Sequence, residues 1–466
     1  MYRFICFSIL QLSFYLLGYG QTTTFIDASN SPYFIQNDLT INEGDSLILG
    51  PGAIVLIANG IDINVYGCFE IRGVAGNPAK MQPLEDFGWG QIKVYDSSDS
   101  LLLNHAEINN GRLLVYNNHV KLRNVTFSNT QNLEWNGAIG RFYFGSLYIN
   151  NCSISGSNKG EGFLVHSVDN ATITNCSFNS IPDAVEFLNC NYGRIGKSEF
   201  RSIPDDAIDL NHCLGTVVDS NIIINVADRG MEIGSENNGS SIDIKVERNI
   251  IANCYEGINF KGGSTGSVVH NTIFNNQTGI TSLLSDTPNL PSHLTVSNTI
   301  FYSNTTDLFK EESSTVLTNY CLSDNSTLEG EQNLLADPFL ISPYLENFEI
   351  SPLSPCIDSG SNSFQNDPDG TPPDIGAVYQ SVRPNDDILS SIFHIWPNPC
   401  NKNLYVKSLV EMNSIEVINC FGQTIATEVA NSPYHLTLVV SSLSSGYYTL
   451  MINSAEQSFF TSFVKF

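Results

Sequence analysis

Apolar positions along this chain recur in two short motifs, each too brief to bury a face alone. The first has the form apolar-x-polar-small-x-apolar. It reads Leu122-Arg-Asn-Val-Thr-Phe127, Ile149-Asn-Asn-Cys-Ser-Ile154, Ile173-Thr-Asn-Cys-Ser-Phe178, Ile195-Gly-Lys-Ser-Glu-Phe200, Val218-Asp-Ser-Asn-Ile-Ile223, Val246-Glu-Arg-Asn-Ile-Ile251 and Val268-Val-His-Asn-Thr-Ile273, at steps of 27, 24, 22, 23, 28 and 22 residues. The second, Gly/Ala-apolar-x-apolar, runs in phase as Gly162-Phe-Leu-Val165, Ala184-Val-Glu-Phe187, Ala207-Ile-Asp-Leu210, Gly230-Met-Glu-Ile233, Gly257-Ile-Asn-Phe260 and Gly279-Ile-Thr-Ser282. Two short alternating strands per period must stack on copies of themselves to form a core. The pattern predicts an all-β solenoid, with the longer steps marking coils that carry side loops.

These motifs resemble the repeat of pectate lyase-like proteins, which implies a right-handed parallel β-helix over 21–380. Leu39-Thr-Ile-Asn-Glu-Gly-Asp-Ser-Leu-Ile48 and Gly88-Trp-Gly-Gln-Ile92 resemble its opening coils in bacterial surface proteins. Ser354-Pro-Cys-Ile-Asp-Ser-Gly360 and Asp374-Ile-Gly-Ala377 resemble its closing segment. Such motifs identify architecture rather than a reaction.

Both ends differ from this repeat. Arg3, the apolar run Phe4 to Leu17 and Gly18-Tyr19-Gly20 read as a signal peptide over 1–20, too short to span a bilayer. The polar stretch Gln380-Ser-Val-Arg-Pro-Asn-Asp-Asp387 begins a linker, placed at 381–392. Beyond it, 393–466 has the short alternating strands of a small C-terminal β-sandwich. Ile395-Trp-Pro-Asn-Pro399, Ile415-Glu-Val-Ile-Asn-Cys-Phe-Gly-Gln423, Leu443-Ser-Ser-Gly-Tyr-Tyr-Thr-Leu450 and Phe463-Val-Lys465 resemble the type A sorting domain of the type IX secretion system. That resemblance implies the type IX machinery as a partner, removal of the tail, and release or attachment at the cell surface.

Charge narrows the partners. With 47 acidic against 21 basic residues, the net charge is −26, which disfavours nucleic acid and anionic membranes. No segment after the signal reads as a transmembrane helix. Cys152/Cys176 and Cys190/Cys213 fall one coil apart. Parallel side chains fit a disulfide torsion poorly, so stacked thiols are expected.

Alternation within the second motif points Glu186, Asp209, Glu232 and Asn259 away from the core as an exposed ligand-binding column. Lys261 should face the same side, and Arg229 should lie between Asp206 and Glu256. Adjacent coils sit about 4.8 Å apart, so three carboxylates in a row need a cation, a basic partner or a proton. Calcium on Asp209 and Glu232 is one answer; a solvated, salt-bridged face is another. Asp367-Pro-Asp-Gly370 reads as a turn rather than a full calcium loop.

Asp183-Ala184 and Asp205-Asp206-Ala207 also resemble the acid pocket of polygalacturonases. Asp228-Arg229-Gly230 stands where that family has Gly-His-Gly, and Asn259-Phe-Lys261 where it has Arg-x-Lys. The resemblance implies Asp183, Asp205, Asp206, Arg229 and Lys261 as candidate catalytic residues. An inverting hydrolase needs two carboxylates about 6.5–9.5 Å apart. A lyase would use calcium on Asp209/Glu232 with Arg229 or Lys261 as base. The first functional expectation is a secreted or surface protein that binds carbohydrate or another surface ligand. The alternative is a polysaccharide-degrading enzyme, either a polygalacturonase-like hydrolase or a calcium-dependent lyase.

Overall fold

The computed structural model describes residues 21–379 and 393–466, except for 87, 97, 99, 131–136, 158, 236–238, 285–289, 420–423, 430–431 and 455–457. The signal segment 1–20 and the linker 381–392 lie outside the described residues.

Parallel pairing joins 34 strands into one continuous system, wound in about twelve turns. Each full coil gives one strand to each of three faces. The first face begins at Thr23–Ile26 and Ser46–Leu49 and ends near Thr315–Asn319. The second begins at Tyr33–Ile35 and Ile54–Ile57 and ends near Leu322–Ser323. The third runs from Leu39–Ile41 through Glu161–His166, Asp183–Leu188 and Ile208–Asn211 to Thr306–Lys310.

The first motif makes the corner between the first and second faces. Its third residue (Asn124, Asn151, Asn175, Lys197, Ser220, Arg248, His270) adopts φ between 52° and 57°, the left-handed region where asparagine is enriched. Its fourth residue points inward and passes hydrogen bonds along the stack. The Cys176 amide donates to Ser198 Oγ (3.0 Å), Ser198 to Asn221 Oδ1 (2.9 Å), Asn221 to Asn249 Oδ1 (2.9 Å) and Asn249 to Asn271 Oδ1 (2.8 Å). Buried corner amides are thereby satisfied.

The second motif opens each strand of the third face. Its first position is small because a Cβ on Gly257 would stand 2.5 Å from the Gly279 carbonyl oxygen. Its apolar positions fill the core, where Phe163, Phe178, Phe187, Phe200 and Phe260 are fully buried. Phe178 and Phe200 stack with centroids 4.9 Å apart; truncating one to Ala costs about 3–5 kcal/mol. Cys152, Cys176, Cys190 and Cys213 are buried free thiols, as the parallel stacking implied.

The closing segment folds back onto the last coils. Asp374 Oδ1 accepts from the Asp358 amide (2.8 Å), Asp367 Oδ2 from the Asp374 amide (2.7 Å), and Thr272 Oγ1 from the Ala377 amide (3.1 Å). The Gly370 amide donates to the Asp367 carbonyl at 2.8 Å, so this stretch is a turn. The tail forms a three-stranded and a four-stranded antiparallel sheet over a core that includes Leu404, Val406, Ile415, Val417, Leu450, Ile452 and Phe463. Among the described residues no helix is long and apolar enough to cross a membrane.

Candidate functional site

Register on the third face aligns two rows of side chains at the middle coils. Glu186 pairs with Asp209, Asp209 with Glu232, and Glu232 with Asn259. Glu161 pairs with Asp183 in the neighbouring row, and Arg229 with Glu256. The Asp206 amide donates to Asp183 Oδ1 (3.1 Å), and the Arg229 amide to Asp206 Oδ1 (2.9 Å). Every charged residue expected at this face is therefore brought together, and the structure adds Glu161.

One expectation needs correction. The column faces away from the core but is not an exposed, solvated surface: Glu232 is 7% and Asn259 1% exposed. Side chains from adjacent coils cover one another. Asn259 Nδ2 donates to Glu256, and Lys261 Nζ lies 2.8 Å from Glu232 Oε1.

Charge compensation differs along the column. At its later end, the Arg229 guanidinium lies 2.7 Å from Glu232 Oε2, 3.1 Å from Asp228, 3.4 Å from Asp206 and 3.6 Å from Glu256. Burial works against that charge, but Glu232, Asp206, Asp228 and Glu256 outweigh it and hold Arg229 protonated. Arg229 and Lys261 thus act as ion-pair partners, which opposes their expected use as a lyase base. Both Glu232 oxygens face cations, so an ion at Asp209 and Glu232 would have to compete with Arg229 and Lys261 for Glu232.

At the earlier end, protons replace cations. Burial, reinforced by Glu186 and Asp183, pushes the Glu161 carboxyl up to about 8. Burial and Glu232 push Asp206 up to about 7 against the opposing Arg229. Burial likewise raises Asp183 to about 6, although the Asp206 amide opposes it. Asp209 is raised well above the usual carboxylate range by burial and by Glu232, Glu186, Asp206 and Asp183. Glu186 is also raised by burial, against a hydrogen bond from Asn211.

Three carboxylates converge here: one oxygen from each of Asp183, Asp205 and Asp206 lies within 4.8 Å of the others. This acid set fits a divalent cation better than Asp209/Glu232 does. Its nearest oxygens are closer than the about 6.5–9.5 Å of an inverting pair and nearer the about 5–5.5 Å of a retaining pair.

Most of the buried side-chain polar atoms without a hydrogen-bond partner, among the described residues, also lie on this face: Arg141 Nε, Glu161 Oε2, Asp209 Oδ1, Asn211 Oδ1 and Asn259 Oδ1. Such atoms are rare in a folded interior and mark places where something else supplies the partner. A groove of about 590 Å³ lies further along, lined in part by Asp307, Lys310 and Glu329. Its buried acid, Asp307, is fully engaged by Asn304, Ser323 and Ser326, so it competes poorly as a reactive site.

Comparison with known proteins agrees with the architecture. Residues 110–280 match the family model for a right-handed beta helix region. Residues 394–465 match that for a secretion system C-terminal sorting domain. No curated protein sequence matches the chain. Among solved structures, a periplasmic alginate epimerase is 10% identical (TM-score 0.39), with 63% of this chain and 77% of that one covered. The catalytic domain of a GH87 alpha-1,3-glucanase is 12% identical (TM-score 0.39; 61% and 68% covered). A Yersinia enterocolitica family 28 exopolygalacturonase is 11% identical (TM-score 0.28; 67% and 72% covered). These are likenesses of outline only. The chain is a right-handed parallel β-helix protein with a C-terminal type IX secretion sorting domain, which directs it to secretion or the cell surface.

Proposed function

We propose that this protein acts on a polysaccharide and hydrolyses a glycosidic bond at Asp183, Asp205 and Asp206. The observation that carries this reading is the convergence of the three carboxylates within 4.8 Å, two of them shifted into the neutral range. Burial raises both Asp183 and Asp206 toward neutral pH, Asp206 the further of the two, which favours one ionised and one protonated carboxyl. Those are the two states a glycosidase requires. Asp206 protonates the leaving oxygen as the glycosidic bond breaks, Asp183 attacks the anomeric carbon as the carboxylate of a retaining pair, and water then releases the sugar from Asp183. Asp205, exposed at the edge of the cluster, meets the substrate first. Arg229 and Lys261 hold Glu232 and keep the acid row fixed. A divalent cation on the three aspartates would require all of them ionised, so it would compete with the proton on Asp206 rather than assist it.

A screen across polysaccharides that reads new reducing ends separately from unsaturated products tests this. Hydrolysis gives the first without the second. Its rate should rise with pH as Asp183 ionises near 6 and fall as Asp206 deprotonates near 7. Asp206→Asn should lower it by about 10²-fold or more while the melting transition stays in place. Binding without cleavage on every glycan would refute the enzyme and return the face to a surface-binding role.

We also propose the division into signal 1–20, β-helix 21–380, linker 381–392 and sorting domain 393–466. Intact mass of the native secreted protein checks it, since a species retaining Trp396 to Phe466 would contradict removal of the tail.

A further inference from the structure

The earlier coils of the third face carry different chemistry. Tyr66, Tyr95, Tyr116 and Tyr143 occupy one row. Tyr66 and Tyr95 stack with centroids 4.4 Å apart and planes 1° apart, Tyr95 and Tyr116 at 6.4 Å, and Tyr116 and Tyr143 at 5.3 Å. His166 follows Tyr143 at 5.7 Å, in the coil just before Glu186 and Leu188. Because the rings stack along the solenoid axis, their faces cover one another. Edges and phenol groups look outward; Tyr66 is 38% and Tyr116 39% exposed. An aromatic edge is the positive part of the ring quadrupole, and a phenol donates hydrogen bonds.

The row beside these tyrosines is basic. Lys93, Leu114 and Arg141 align in register, with Arg112 two residues before Leu114. Lys93 is paired with Asp62 at 2.6 Å. Arg112 and Arg141 are half-buried and make no ion pair or hydrogen bond among the described residues, and Arg141 Nε is buried without a partner. Burial pulls Arg112 below the usual guanidinium range, Asp62 opposes this, and the nearby Arg141 adds to it. Among the described residues neither guanidinium has a carboxylate at ion-pair distance; Asp62 acts on Arg112, and Glu161 and Glu186 act on Arg141, only from further off, which leaves donor positions for an anion in a chain of net charge −26. Screening confines each field to about 8–10 Å, so these local cations rather than the net charge decide what binds.

We propose that this half of the third face is a binding subsite for an anionic pyranose chain, whose acid groups engage Arg112 and Arg141 and whose hydroxyls meet the tyrosine row. This rests on the polysaccharide reading above and names its substrate class. One coil and one pyranose unit have nearly the same axial length, so a chain laid along the solenoid keeps step with the tyrosines and enters the acid cluster across His166 and Leu164. Either a uronate or a sulfate ester supplies the anion.

The test measures binding in the Asp206→Asn background, where cleavage is slowed by about 10²-fold or more, with oligomers of a polyuronate, a sulfated galactan and a neutral β-glucan. At least one acidic oligomer should bind more tightly than the neutral one and weaken with salt, and the two acidic probes separate carboxylate from sulfate. Arg112→Gln with Arg141→Gln should weaken that binding by about tenfold or more, since hydrogen bonds to charged groups are the strong ones. Tyr116→Phe, which keeps the stack and removes one donor, should weaken it by about threefold. An acidic oligomer bound equally by the double variant, or no preference over the neutral glucan, overturns the inference. Cleavage of a neutral glycan by the unaltered chain, with no acidic binding, would overturn it while leaving hydrolysis standing.

Discussion

The two halves of the third face share a backbone and differ in almost everything outward. In the tyrosine half, Val94, Val115, Phe142 and Val165 point into the core; in the acid half Phe187, Leu210, Ile233 and Phe260 do the same. Inward residues set the register, which leaves the alternate positions free to carry stacked rings and arginines in one half and carboxyls in the other. The outward rows also handle charge differently. Lys93 and Asp62 form a partly solvated pair, with side chains 26% and 22% exposed. Lys261 and Glu232 are nearly dry at 8% and 9%.

That contrast predicts the largest effect. Lys261→Met leaves Glu232 buried with half its compensation and should destabilise the fold by about 3 kcal/mol or more. Lys93→Met, against a more hydrated pair, should cost about 0–1 kcal/mol. Denaturant unfolding of both variants checks this. Glu232→Gln combined with Lys261→Met should recover most of the loss, and equal costs for the two lysines would erase the distinction between the halves.

The protonated acids give a smaller effect with a definite sign. The Glu161 carboxyl is raised in the folded chain, from an ordinary 4.5 to about 8. The folded state therefore holds a proton that the unfolded state releases, and stability falls as pH climbs from about 4.5 through 8. Glu161→Gln should flatten that fall and make the chain more stable at alkaline pH by about 1–3 kcal/mol. Melting temperatures across pH 5 to 9 that ran parallel for the two proteins would place Glu161 outside the coupled set.

Calcium should act least. Free Ca²⁺ at five times its Kd would add about 1 kcal/mol, and Asp205→Asn should remove the rise in melting temperature while Asp209→Asn leaves it. The reverse outcome would restore the Asp209/Glu232 pair.

The sequence reads well where one residue type answers one backbone demand. Asn124, Asn151 and Asn175 mark left-handed corners, and Gly162, Gly230 and Gly257 mark crowded strand starts, so the solenoid follows from local pattern. The acid column follows from alternation too, but its burial does not, because covering Glu232 and Asn259 depends on side chains one coil away. Glu161 was missed although it stands immediately before a motif glycine, as Asp183 and Asp206 stand before motif alanines. The tyrosines were missed because their spacing of 29, 21 and 27 residues varies with the loops between coils, so that only the pairing register reveals a row.

The corner amides connect each coil only to its neighbours, and that makes the solenoid a ruler. A single coil, the one holding Glu161–His166, separates the Tyr143 and Arg141 rows from the Glu186 row. Duplicating that coil would extend the gap between grip and blade by one graduation without disturbing either. On the proposed hydrolysis, the cut would then fall one sugar further along the chain, so fragment length would become a quantity that this architecture sets by counting turns.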